Sequence, residues 1–511
     1  MLYLHPAEGK KLNKDIIPRY RKKAAALVCL FLFYALPPLA IAQKAQPKSW
    51  TFDEPVQKAY DLVLNLQLDE AHQQIPRPQT AQEHYVIALA EALELLITED
   101  GEKYTEYEDR FNERLDRKTK TNLPDDLFLQ AEIRMQWSFV YLKFGHELDA
   151  ALNLRQAYLT IQEIKRKFPK FESIKKSSGL LEIIIGSVPQ KYNWVLGLLN
   201  MEGSTKTGFE ELERIRMSES PLAFEAQLIH ALIQGFLLQQ PNEGFQEIKN
   251  VLTNYPQNRL ALFLASALAI KNAQSDEALT MLDSLSKQSQ GLPLYYADYL
   301  RGEIYLYKAA YLNSITAYRW FINHYRGQNS IKDSYYKIGL CYWLNGNTND
   351  AIATFKQAKA VGKEASESDK YAARSLAETE LPHIELTKAR YAMDGGYYDD
   401  AKLLLDSLRP PDLLTLRDQV EYYYRKARLA HKLNDLPTAK TFYLQSIDLN
   451  GNESWYYAPN ACLQMGYIAW ADGDITLAKN YFKKALSYNK HEYKNSIDSK
   501  AKSALAQIRR K

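Results

Sequence analysis

The chain is predicted to be all-α, a solenoid of helical hairpins. Three observations predict this. One spacing of small and aromatic residues recurs five times in the C-terminal half, mostly with Gly or Asn in the intervening turn. Elsewhere apolar residues return at helical intervals. No segment alternates apolar and polar residues for long enough to argue for a strand. The 511 residues suffice for one long solenoid or several ordinary domains, and the 21 Gly and 20 Pro are too few for a collagen-like chain or a long disordered tail.

Residues 1–42 read as a secretory signal. Lys10, Lys11, Lys14, Arg19, Arg21, Lys22 and Lys23 form a basic region ahead of the apolar run "AAALVCLFLFYALPPLAIA". The run ends in Ala40-Ile41-Ala42, a small-x-small cleavage signature. The run is also about long enough to anchor in a membrane, but Pro37-Pro38 and the Ala-x-Ala end favour cleavage. This segment carries a net +5 of the chain's +4, so the remainder is near −1. That leaves no drive toward nucleic acid through phosphate neutralisation. Cys29 lies in the signal behind Ala26-Leu27-Val28, a poor lipidation context. Cys341 and Cys462 are too few and too distant for a disulfide framework and read as buried free thiols.

Residues 43–175 form a less regular N-terminal helical region. "PVQKAYDLVLNLQLDEAHQQI" and "TAQEHYVIALAEALELLI" are amphipathic helices. "MQWSFVYLKFGHELDAALNLRQAYLTI" is a degenerate hairpin on Ser138, Tyr141, Gly145, Ala150 and Ala157. Residues 176–290 form a central helical region. It opens on Leu181–Leu199, an almost wholly apolar stretch interrupted by Glu182, Pro189, Gln190 and Lys191. Pro189 breaks any single spanning helix, and the charges would face lipid. Two short buried helices with a bend at 186–189, wedged where the two halves meet, are expected. "PLAFEAQLIHALIQGFLLQ" and "NRLALFLASALAIKNAQSDEALTMLDSL" continue the helical pattern.

Residues 291–490 carry the repeats. "YYKIGLCYWLNGNTNDAIATFKQA" sets Gly339 and Tyr342 on a first helix, Gly346 in the turn, and Ala351, Phe355 and Ala358 on a second. Small residues let the helix backbones approach, and aromatics fill what remains. Four other segments repeat it, on Gly302/Ser314/Tyr318/Phe321, Ala389/Gly396/Ala401/Leu405, Ala427/Asn434/Ala439/Tyr443/Ser446 and Gly466/Gly473/Ala478/Phe482/Ala485. This pattern resembles the tetratricopeptide repeat (TPR). The second-helix anchors fall at 314, 351, 401, 439 and 478, further apart than the repeat's 34 residues. The widest interval, before 401, contains "GKEASESDKYAARSLAETE", expected to form an added or longer helix. Residues 491–511 read as a polar amphipathic helix capping the array.

The central segment carries a second resemblance. Gly179, Ser187-Val188-Pro189, Trp194 to Leu199, Gly203 and Gly208-Phe209 stand in an order similar to the tetratricopeptide-repeat-39 and inclusion-body-clearance family, over about 40 residues. The resemblance implies an all-helical, non-enzymatic protein with an N-terminal helical part and C-terminal repeats. That family works in the cytosol, so the export signal departs from it, and only the fold carries over.

No constellation points to catalysis, a metal or a cofactor. "GSTKTGF" lacks a Lys after its second Gly and a preceding strand, so it is a turn rather than a phosphate loop. His146 in "HELDA" has no second His and reads as a turn residue. There is no Gly-x-Ser-x-Gly elbow. Asp399-Asp400 suits a helix start. The candidate site is the concave groove. In such arrays, residues three before and one and four after the first-helix small residue point inward. They include Tyr299, Glu303, Tyr336, Trp343, Arg390, Tyr424, Arg428, His431, Tyr467 and Trp470. Tyr, Trp and Arg anchor peptides and partners, and also stack on sugars. The same rings could instead only pack neighbouring repeats.

The expectation is an exported, non-enzymatic TPR scaffold binding a protein or peptide in its groove. Few cysteines beside an export signal suit a Gram-negative periplasm, with an envelope-associated complex as the setting. The alternatives are a lipid or glycan carrier, and a helical hydrolase or lyase.

Overall fold

The computed structural model describes residues 49–116, 123–188, 200–364, 366–378 and 380–510. The expected signal, residues 1–42, lies outside them. Every regular element among the described residues is helical. The first anchor is Trp50. Its ring is buried edge-on against Tyr85 and Phe128, and its backbone N–H donates to Ser173 Oγ at 2.7 Å.

Helices α1 (Glu54–Leu64) and α2 (Leu68–Gln74) precede α3 (Ala81–Thr98), which begins at a Thr80/Glu83 capping box. After α4 (Gly101–Asp116), the expected degenerate hairpin forms from α5 (Pro124–Phe144) and α6 (Glu147–Lys167). Gly145 turns it at φ +83°, and exposed His146 begins α6, as a turn residue should.

The central region opens on α7 (Ile174–Gly186), which buries Leu181, Ile183 and Ile185. The second helix expected within 181–199 lies outside the described residues. The partner found for α7 is α8 (Thr205–Arg216), and the two meet through glycine. A Cβ on Gly208 would stand 2.5 Å from Gly179 O, and one on Gly179 2.7 Å from Gly208 O. No side chain fits between these backbones. Glu182, puzzling as a charge in an apolar stretch, accepts from Ser204 N at 2.8 Å and so secures the start of α8. Helices α9 (Ala223–Leu232), α10 (Pro241–Asn254), α11 (Arg259–Lys271) and α12 (Ser275–Ser286) follow.

The array proper comprises the hairpins α13 (Tyr296–Tyr307) with α14 (Tyr311–His324), and α15 (Ile331–Leu344) with α16 (Thr348–Ala360). A single helix, α17 (Glu367–Ala377), occupies the wide interval as expected. Then come α18 (Ile384–Gly395) with α19 (Tyr398–Asp406), α20 (Leu416–Lys432) with α21 (Leu436–Asn450), and α22 (Tyr457–Ala471) with α23 (Ile475–Ser487). The cap α24 (Lys494–Arg510) buries Ile497, Ala501, Ala504 and Ile508 on one stripe.

All five expected anchors, Ser314, Ala351, Ala401, Ala439 and Ala478, are fully buried. Where the first helix supplies Gly, the ring of the second helix occupies the vacated space. Tyr318 lies over Gly302, Phe355 over Gly339 and Phe482 over Gly466, each with a ring carbon 2.6 Å from where a Cβ would be. Cys341 and Cys462 are buried and free, and burial pushes both thiols up to about 12.

Segments far apart in the chain touch. Glu99, at the end of α3 with φ +54°, accepts from Tyr325 Oη at 2.8 Å, Gln328 N at 3.2 Å and Asn329 N at 3.1 Å. The N-terminal helices thus clip the loop between α14 and α15. Further on, Tyr397 Oη donates to Asp276 at 3.1 Å, and Gly396 abuts the carbonyl of Ala273. Tyr493 stacks on Tyr371 of α17 and stands edge-on to Tyr456.

Candidate functional site: the inner face of the array

The structure divides the expected groove residues by their position in the repeat. Those three before the small residue are in the core. Tyr299, Tyr336 and Tyr424 are buried, correcting the expectation that they line the groove. The cause is the second-helix ring: Tyr299 packs on Tyr318 at 5.7 Å, Tyr336 on Phe355 at 5.8 Å and Tyr424 on Tyr443 at 6.3 Å. The positions one and four after it retain access to solvent, namely Glu303, Trp343, Arg390, Arg428, His431, Tyr467 and Trp470.

Under the groove floor of α13 and α15 lies a closed ion cluster. Lys337 Nζ meets Glu303 at 2.5 Å and Asp333 at 2.8 Å, and Tyr299 Oη donates to Asp333 at 2.7 Å. Burial alone would depress the ammonium, but the two carboxylates outweigh it and raise its pKa well above the ordinary value. Burial raises the Asp333 carboxyl. A similar set sits between α5, α7 and α9, where Lys176 Nζ meets Glu132 at 2.8 Å and Glu225 at 2.7 Å. Tyr60 and Tyr85 both hydrogen-bond Glu225. In each cluster one lysine is held by two carboxylates, and Lys176, Glu132, Lys337 and Asp333 are all buried.

Toward α18–α22 the inner face is built from guanidinium and phenol. Arg390 donates to Tyr371 Oη at 2.6 Å and lies over the Tyr371 and Tyr391 rings at 5.3 and 5.2 Å. Burial would raise the Tyr371 phenol, but the Arg390 charge and hydrogen bond bring it below its ordinary pKa. Arg425 donates to Glu421 at 2.6 Å and Tyr456 Oη at 3.0 Å. Burial opposes the Glu421 carboxylate, yet Arg425 and the Tyr457 hydroxyl hold it below the usual range. His431 Nδ1 lies 3.2 Å from Tyr443 Oη. Trp343 Nε1 donates to Pro382 O at 2.9 Å, tying down the chain before α18. Tyr467 and Trp470 lean edge-on against Phe482 at 5.3 and 6.4 Å, leaving part of each ring open.

The sequence reading missed Lys337 with Asp333, Arg425 with Glu421, and Tyr371 with Tyr493. The first two pairs are spaced i,i+4, a signal that was available. The third joins residues 122 apart and has no local signal.

Among the described residues no group of three His, Cys, Asp or Glu is disposed to hold a metal ion, and no helix is long and apolar enough to cross a membrane. No curated protein matches the chain. Solved structures similar to it include the human IFIT1 dimer with m7Gppp-AAAA, at 12% identity over 90% of this chain and 98% of that one, with TM-score 0.33. Another is yeast Tom70, at 13% identity over 89% and 96%, with TM-score 0.27. The tetratricopeptide repeat family matches residues 332–361, 420–453 and 459–492. The hairpins α15–α16, α20–α21 and α22–α23 are tetratricopeptide repeats.

Proposed function

We propose that this protein is a non-enzymatic scaffold that holds a segment of a partner protein on the inner face of its repeats, between α18 and α22. One observation carries the reading. Within tetratricopeptide repeats, which generally bind protein partners, Tyr467 and Trp470 keep part of their rings open, while Glu303, Trp343, Arg390 and His431 are engaged by neighbouring groups. Open aromatics beside ordered Arg390 and Arg428 are the residue types that supply most binding energy at interfaces.

We also propose export to the periplasm of a Gram-negative cell, in an envelope complex, supported by the basic region, apolar run and Ala40-Ile41-Ala42 of the sequence. The glycine-to-glycine pairing of α7 with α8 supports kinship with the tetratricopeptide-repeat-39 family at the level of fold.

The test isolates the native chain from the periplasmic fraction with its bound proteins, beside a Tyr467→Ala/Trp470→Ala variant. The reading expects a chain beginning near Gln43 and one partner that the folded variant loses at least tenfold. Retention of every bound protein by the folded variant would remove the groove from the account. Recovery only in the cytosol, with residues 1–42 intact, would remove export.

A further inference from the structure

Helix α14 buries Tyr311, Ser314, Tyr318 and Phe321 and turns Leu312, Thr316 and Trp320 outward, four residues apart on one face. Leu312 is 68% exposed and Trp320 53%. A single exposed apolar side chain is ordinary. Trp320 differs because its ring is held in place. His324, one turn on, stacks on it with ring centroids 4.0 Å apart, and His324 Nδ1 lies 2.8 Å from Trp320 O. Tyr295, immediately before α13, stacks on His324 in turn at 5.6 Å. The indole is thus the open end of a three-ring stack. One face is covered, and the other has no ring or cation over it among the described residues.

Trp320 lines an open depression of about 450 Å³ together with Asp298, Tyr305, Leu312, Asn313 and Thr316. Asp298 and Tyr305 stand two turns apart on α13, as do Leu312 and Trp320 on α14, so the depression runs about 10 Å along the hairpin. The two helices are antiparallel. Asp298 therefore lies at the Trp320 end, and Tyr305 at the end of Leu312 and Asn313. The Asp298 carboxylate, the Tyr305 hydroxyl and the Asn313 amide make no hydrogen bond or ion pair among the described residues. Thr316 Oγ1 donates to Leu312 O at 2.9 Å and keeps its accepting side. Burial raises the Asp298 carboxyl, against the influence of Arg301 and His324. Arg301 itself is taken by Asp283 at 2.5 Å and Leu282 O at 2.7 Å. A half-buried acceptor without a donor is a cost that a ligand bearing hydroxyls removes.

We propose that this depression between α13 and α14 binds a neutral glycan, with the apolar face of one pyranose ring on the open face of Trp320. The indole is already ordered by His324 and Tyr295, so little side-chain freedom is lost on binding. Neighbouring hydroxyls of that ring donate to the Asp298 carboxylate. At the other end the Asn313 amide and the Tyr305 hydroxyl both donate and accept, as sugar hydroxyls require. The length admits two linked rings. A cationic ligand would use the indole face and Asp298 but leave the amide and the phenol idle, and an anionic sugar would be repelled by Asp298. The site uses none of the residues of the partner-binding reading and does not rest on it.

The test applies saturation-transfer NMR to the full chain with maltose, cellobiose, lactose and N,N′-diacetylchitobiose, and separately with choline. At least one disaccharide is expected to receive saturation, most strongly at the C–H protons of one ring face. Trp320→Ala alters an exposed side chain and leaves the hairpin core in place, and it should weaken binding at least tenfold. Asp298→Asn should weaken it at least threefold. Tyr255→Ala removes another half-exposed ring and should change nothing. Transfer to none of the disaccharides, or undiminished binding by folded Trp320→Ala, overturns the site. Transfer to choline alone overturns the glycan and puts a cationic ligand in its place.

Discussion

Gly208 and Gly179 illustrate how single residues set this fold. Each lies where the other's backbone carbonyl leaves no room for a Cβ, so α7 and α8 approach only as a glycine pair. The turn glycine Gly346 differs, with φ +85° and no atom within 4 Å of where a Cβ would stand. Gly208→Ala should therefore cost about 3 kcal/mol, at the top of the range for overpacking, because the obstruction is backbone. Gly346→Ala should cost about 1 kcal/mol, from its left-handed conformation alone. Urea unfolding of both variants checks this, and equal costs would mean the helix pair can part without penalty. The two glycines were visible in the sequence, but their mutual contact was not, because it joins residues on two different helices and leaves no local pattern.

At the scale of elements, the repeat hairpins were legible because their chemistry is local. A small residue, a turn glycine or asparagine, a second small residue and a ring recur within one hairpin, and the structure buries every one of the five anchors. The tyrosines three before the small residue were misassigned for a physical reason. A first-helix position can face either the groove or the ring of its own second helix, and Tyr318, Phe355 and Tyr443 draw them inward. The cap α24 was legible from its polarity, and its apolar stripe closes the end of the core. Ile497→Asp would place a carboxylate without a partner against that core. It should cost about 3 kcal/mol or more and bare the face of the last hairpin. Self-association in light scattering, absent from the parent chain, checks it, and a monomer of unchanged stability would deny α24 a capping role.

For the whole molecule, what the sequence hid is long-range. Glu99 grips the loop at 325–329, Tyr397 reaches Asp276, and Tyr493 closes on Tyr371. None of these has a sequence pattern, since each joins residues more than a hundred positions apart. Together they fix an inner face that is mostly self-satisfied, with accessible side chains limited to a few positions. On the proposed reading a partner is held there rather than on the outer helices. A photo-crosslinking amino acid placed at 470 on α22, or at 352 on α16 where Ile352 is 55% exposed, separates the two faces on irradiation of living cells. Inner-face binding predicts a discrete protein adduct from position 470 and none from 352. An adduct from 352 alone, or the same adduct from both, would contradict it.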